Sequence, residues 1–145
     1  MRTLTDHIVS GDQAVQLEIA VLDEPGQGGA HHDYRISGSY AKGQKVPIQH
    51  HMDDAVIHID LSGATTITLA RIKFQNGPIK ENGVNGITLE ALLAIGIDRL
   101  RSFQNGPFPC QENAIALMHC EEALEWLQKR TLARIKRGVE GTNQK

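Results

Sequence analysis

Arg130, Arg134 and Arg137 fall at i, i+4 and i+7 in a segment of helical patterning, which stacks three guanidinium groups along one side of a helix. A guanidinium fork matches the oxygens of a phosphate, and its plane can also lie on a nucleobase. The spacing therefore suits a small anion. Basic residues in the last turns of a helix also complement its macrodipole, and spacing does not separate that use from binding. Between Trp126 and Arg137 there are Lys129, Arg130, Arg134, Lys136 and Arg137 and no acid, whereas the first half is rich in Asp and Glu and the formal net charge is −2. A local anion site fits this balance better than a face for a nucleic acid polymer.

Phe103 and Asn113 could complete such a site. One supplies a ring for stacking, the other an amide beside the N–H groups that open a helix. Taken alone, Phe103 also suits core packing and Asn113 a helix cap. They stand far from the arginines: 17 residues separate Asn113 from Arg130, about 25 Å along one helix. If both groups touch one small ligand, they most simply come from two chains packed antiparallel, which predicts an intersubunit pocket.

The histidines offer a competing chemistry. His31-His32 and His50-His51 lie near Asp33 and Asp53-Asp54. Adjacent strand residues point to opposite faces, however, and no HxH or HExxH spacing is present, so a metal site is disfavoured. No GxSxG or Walker-type loop occurs, and Gly26 to Gly29 lacks the following Lys and Ser/Thr. The sequence demands no catalytic residue, no metal and no cofactor.

Several elements must position these residues. In 14–22, Val15, Leu17, Ile19 and Val21 alternate with Gln16, Glu18 and Ala20, the period of a strand with one buried face. Asp33 to Ser39 is a second strand candidate, and the Gly- and Pro-rich Asp23 to Gly29 between them predicts a hairpin turn. Residues 55–61 and 66–74 read as two further strands joined at Ser62-Gly63-Ala64. In the last strand Ile67 and Leu69 fall on one face but Ala70, Ile72 and Phe74 on the other, so its buried face stays open. Phe74-Gln-Asn-Gly-Pro78 recurs as Phe103-Gln-Asn-Gly-Pro107, a stop used once after a strand and once after a helix.

Thr88 reads as an N-cap, after which Leu89, Leu92, Leu93, Gly96, Leu100 and Phe103 keep helical spacing to Asn105-Gly106. A second helix is expected from near Asn113 to Arg137, ending at Gly138, as a rod of about 37 Å that the first helix is too short to cover. Leu117, Leu124, Leu127, Thr131 and Ile135 make its stripe toward the first helix. Ile115, His119, Trp126, Arg130 and Arg137 lie roughly opposite. An outward Ile115 and Trp126 predict contact with another chain, hence a homo-oligomer.

The 145 residues suit an α+β chain: a small antiparallel β-sheet unit in 1–82 followed by a C-terminal two-helix hairpin in 83–145, as one compact unit. No apolar run approaches the roughly 20 residues that span a bilayer. Cys110 and Cys120, with no secretory signal, are expected to be reduced packing residues of a soluble cytoplasmic protein.

The run from Phe74 to Thr142, with ENA…EEALxWLxxRTxxRxxRGVEGT at its end and DEPGQGGAHHDYRI upstream, resembles the phage Thoeris anti-defence proteins of the first described type. The resemblance implies a β-sheet joined to a helical hairpin, assembled as dimers and often hexamers, without enzyme activity. Such proteins sequester, uncleaved, the cyclic ADP-ribose isomer that a bacterial TIR-domain enzyme makes in the host cytoplasm. They also hold cyclic oligonucleotides at separate sites of the hexamer. Carried over position by position, the stacking ring falls on Phe103, the pocket amide on Asn113 and the phosphate-binding arginines on Arg130 and Arg134. A basic residue that some members use after the first FQNGP is not matched by Pro78 or Ile79, and Lys80 is a weak substitute. Two alternatives stay open: an enzyme degrading such a nucleotide with His31, His32 or His119 as acid or base, and a structural phage scaffold.

Overall fold

Alternating side chains produce strands in the first half of the chain, and period-3.6 patterning produces helices in the second. The computed structural model describes residues 1–9, 17–41, 57–59 (backbone alone) and 65–142. It divides into two compact units, Met1–Lys73 and Phe74–Lys145. The first holds β1 (Arg2–Leu4), β2 (Leu17–Val21), β3 (Asp33–Tyr40), β4 (Ile57–Ile59) and β5 (Thr65–Lys73). They form an antiparallel sheet in the order β1-β2-β3-β5-β4. The second holds α1 (Ile79–Asn82), α2 (Leu89–Asn105) and α3 (Gln111–Lys136). The α+β expectation agrees with this arrangement; β1 and α1, of three and four residues, are too short to leave a periodic signal.

The expected hairpin joins β2 to β3. Gly26 N–H donates to the Ala30 carbonyl at 2.8 Å, and Gly29 takes a positive φ of 80° that its missing Cβ permits. The Asp23 carboxylate accepts the backbone N–H of His32 at 2.8 Å and of Asp33 at 3.2 Å, pinning the far end of the loop. The proposed turn at Ser62-Gly63-Ala64, the His50-His51 pair and Asp53-Asp54 lie outside the described residues.

A β-bulge resolves the ambiguity of the last strand. Ile36 pairs with Ala70 but Ser37 pairs with Thr68, so Leu69 is the extra residue on β5. That insertion shifts the phase of alternation. Ile67, Ala70 and Ile72 therefore share the face of Gly38, Ile36 and Tyr34 on β3, and of Leu17, Ile19 and Val21 on β2. The other face carries Glu18, Ser37 and Thr68, then Ala20, Arg35 and Arg71. Ala20, expected on the solvent side, is fully buried, as is Val21. Ala20 is directly opposite Arg35, whose aliphatic stem lies on this face of the sheet and can cover a methyl group.

In the helical unit Thr88 caps α2 as expected, its Oγ1 accepting the Ala91 N–H at 3.2 Å. Leu92, Leu93, Gly96 and Leu100 are half-buried. The buried residue of α2 is Ile97, which the expected stripe omitted, while Leu89 and Phe103 at its two ends are exposed. On α3 the stripe Leu117, Leu124, Leu127 and Thr131 is half-buried, but Ile135 is 55% exposed. The cause is length. At 1.5 Å per residue the 17 residues of α2 span about 26 Å and the 26 of α3 about 39 Å, so the last turns of α3 outrun their neighbour.

Candidate functional site

The turn between α2 and α3 begins at Gly106, whose N–H donates to the Phe103 carbonyl at 3.2 Å. Gln104 Oε1 then accepts the Cys110 N–H at 3.0 Å. α3 starts two residues before Asn113, and its cap is Cys110, whose Sγ accepts the Asn113 N–H at 3.4 Å. This corrects two expectations. Asn113 is in the first turn and not the cap, and Cys110 is an exposed capping thiol, not a packing residue. Chemistry explains the exchange, since a sulfur can accept one of the orphan N–H groups of the first turn when no oxygen is offered there.

Phe103 closes the last turn of α2 with its ring 44% exposed. The guanidinium of Arg99, one turn earlier, lies 5.0 Å from the ring centroid. One face of the ring is thus dressed with a cation. Asn113, half-buried, shares this end of the hairpin. Phe108 in the turn is almost fully exposed.

The basic run occupies the opposite end of α3. Trp126 is 62% exposed with Lys129 Nζ 4.4 Å from its ring, and Arg130 and Arg137 are exposed. Arg134 differs. It reaches past the end of the helix, with Nε donating to Glu140 Oε2 at 2.8 Å and Nη2 to the carbonyls of Val139 at 3.1 Å and Thr142 at 2.9 Å. Gly138, at φ 70°, makes the expected stop and turns the chain back. Within one chain the structure therefore gathers Phe103 with Asn113, and Arg130 with Arg134, about 25 Å apart along α3. It does not bring all four together.

The histidines take structural surroundings. His31 Nδ1 lies 2.8 Å from the Asp23 carbonyl oxygen, and the imidazoles of His31 and His32 each stand 3.6 Å from an Asp23 carboxylate oxygen. Burial raises the pKa of Asp23, but the backbone N–H bonds from His32, Asp33 and Asp23 itself, with the charge of His31, hold the carboxyl below its ordinary value. Arg71 holds Asp33 below its ordinary value too, foremost through the hydrogen bonds from Nε at 2.9 Å and Nη2 at 2.5 Å. His119 is exposed beside Glu122 at 3.8 Å. Among the described residues no three His, Cys, Asp or Glu side chains are placed to hold a metal ion, and no helix is long and apolar enough to cross a membrane.

Reading the sequence missed Arg99, Glu140 and the Asp23 bracket. Arg99 was legible, because it precedes Phe103 by four residues on one helix. Glu140 and Asp23 act through folded loops, for which periodicity carries no signal.

Comparison with known proteins adds to this geometry. Residues 66–132 match the family described as Acb2/Tad1, hairpin domain. That range takes in Phe103, Asn113 and Arg130 and ends two residues before Arg134. The chain is also similar to the protein named Thoeris anti-defense 1 of Bacillus phage SBSphiJ7, at 54% identity over 77 residues, which cover 53% of this chain and 54% of that relative. The chain spans about half the length of the curated relative that it matches.

Proposed function

We propose, from the match of residues 66–132 to the Acb2/Tad1 hairpin-domain family, that the protein is a phage anti-defence protein of the Thoeris type. In this reading it acts in the host cytoplasm, where it binds and sequesters a cyclic ADP-ribose isomer made by a bacterial TIR-domain enzyme, without cleaving it. The observation that carries the reading is the family match over a hairpin whose two ends present complementary chemistry, an exposed Phe103 beside Asn113 and an exposed Arg130 beside Arg134.

Two copies of α3 packed antiparallel would place the stacking end of one chain beside the cationic end of the other. The exposed apolar residues of α3, Ile115, Met118 and Trp126, support such a partner, because a lone amphipathic hairpin would leave them in water. The base would stack on Phe103, the Asn113 amide would meet a polar edge, and Arg130 and Arg134 would hold the pyrophosphate. Burial between chains gives the slow release that sequestration requires. None of these steps calls on a nucleophile or a general base.

The test is incubation of the purified protein with a cyclic ADP-ribose isomer, then filtration, heating and chromatography of what is released. Ligand lost from the filtrate and recovered unchanged is the expected result. An altered product would point to an enzyme instead, and ligand never captured would overturn the reading. Arg130→Ala is expected to weaken capture by about 2 to 5 kcal/mol, the cost of truncating a buried charge contact, while the oligomer persists.

A further inference from the structure

Arg134 is the arginine of the basic run that the fold holds in place. Its side chain is 19% exposed, and its partners come from a closed tail. Val139 N–H donates to the Arg134 carbonyl at 3.1 Å, Thr142 Oγ1 donates to the Val139 carbonyl at 2.7 Å, and Gly141 takes a positive φ of 74°. The chain reverses after α3 and returns the Glu140 carboxylate to a guanidinium six residues earlier.

That carboxylate has two opposed effects on any phosphate that reaches Arg134. By accepting from Nε it fixes the plane of the guanidinium, which lowers the ordering cost of binding. By its charge it cancels part of the local positive potential and repels an arriving oxyanion. The first effect needs only an oxygen acceptor. The second needs the negative charge.

We propose that Glu140 sets the affinity of Arg134 for phosphate, holding the guanidinium in its working position while its charge weakens the grip on the ligand. This rests on the reading that Arg134 meets the ligand's pyrophosphate. Glu140 is a positioning residue, acting through Arg134 and not by contact with the ligand. Gln at this position keeps the oxygen and removes the charge, so it separates the two effects.

The experiment is calorimetric titration of a cyclic ADP-ribose isomer into the wild-type chain, Glu140→Gln, Arg134→Ala and the double variant, at about 0.05 M and about 0.5 M salt. At low salt Glu140→Gln is expected to bind about fivefold more tightly than wild type, a modest gain because the carboxylate is 42% exposed and partly screened. The gain should shrink toward parity at high salt and vanish when Arg134 is already Ala. Equal or weaker binding by Glu140→Gln at low salt, or an undiminished gain in the double variant, overturns the proposal. A wild-type chain that does not bind the isomer, or Arg134→Ala binding as tightly as wild type, overturns the underlying site assignment instead.

Discussion

Asp33 and Arg71 show how a single pair can be read at the level of protons. The bidentate contact favours the ionised carboxylate, so Asp33 titrates below its ordinary value of 3.8 in the folded protein. A depressed carboxylate contributes stability above its unfolded pKa and loses it as the pH falls through the folded one. The contribution is therefore complete above pH 3.8 and lost on acidification below it. Arg71→Gln is expected to move the Asp33 titration upward, toward 3.8, in a carboxyl-detected NMR series. An unmoved titration would mean that Lys73, and not Arg71, governs that carboxyl. Because more than half of the Arg71 side chain is in water, the accompanying change in stability is expected to be small.

At the scale of elements, two copies of one pentapeptide adopt different conformations. After β5, Gly77 has φ 79°, and Gln75 and Asn85 tie the loop together: Gln75 Oε1 accepts the Asn85 N–H at 3.0 Å, and Asn85 Oδ1 accepts the Asn76 N–H at 2.8 Å. After α2, Gly106 has φ −89°, and Gln104 receives the Cys110 N–H instead. The shared glutamine does the same job twice, gathering a loop onto its side-chain oxygen. The glycines do not. A Cβ at Gly77 would stand 2.0 Å from Asn82 Nδ2 in a left-handed backbone, whereas one at Gly106 meets Ser102 O at 3.1 Å. Urea unfolding should show Gly77→Ala losing about 1 to 3 kcal/mol and Gly106→Ala losing less than about 1 kcal/mol. Equal losses would contradict the assigned backbone.

Helix ends and hairpin stripes were legible in the sequence because they depend on neighbours three and four positions away. Thr88, Asn105-Gly106 and Gly138 mark their boundaries through local chemistry alone. The partners of Asp33 and Ser37 were not legible, since they are fixed by register between strands up to 38 residues apart. The candidate site divides in the same way. Residue types and spacing picked out the arginines, but only the folded tail distinguishes Arg134, bound to Glu140 and the carbonyls of Val139 and Thr142, from Arg130 in solvent.

For the whole molecule, the decisive observation is how little of the second unit is buried. α3 has no buried residue, and Ile115, Met118 and Trp126 stand in water in the single chain. A second copy covering them accounts for the pattern and would complete the proposed pocket. Trp126→Asp is expected to shift the molecular mass seen by light scattering toward the monomer and, in the same samples, to weaken capture of a cyclic ADP-ribose isomer at least tenfold, since each half-site lacks its complement. A variant that becomes monomeric yet binds at full strength would place the site within one chain. The histidines enter neither outcome.

The bulge at Leu69 also bears on insertions and deletions. In a regular strand, removing one residue turns every later side chain to the wrong side of the sheet. Leu69 is already surplus to the pairing between Ile36 and Ser37, so its loss would leave Ala70 and Ile72 facing as they do now. A scan of single-codon deletions along β5 should therefore find one tolerated position among neighbours that are not, a reading-frame slack built into the ladder at Leu69.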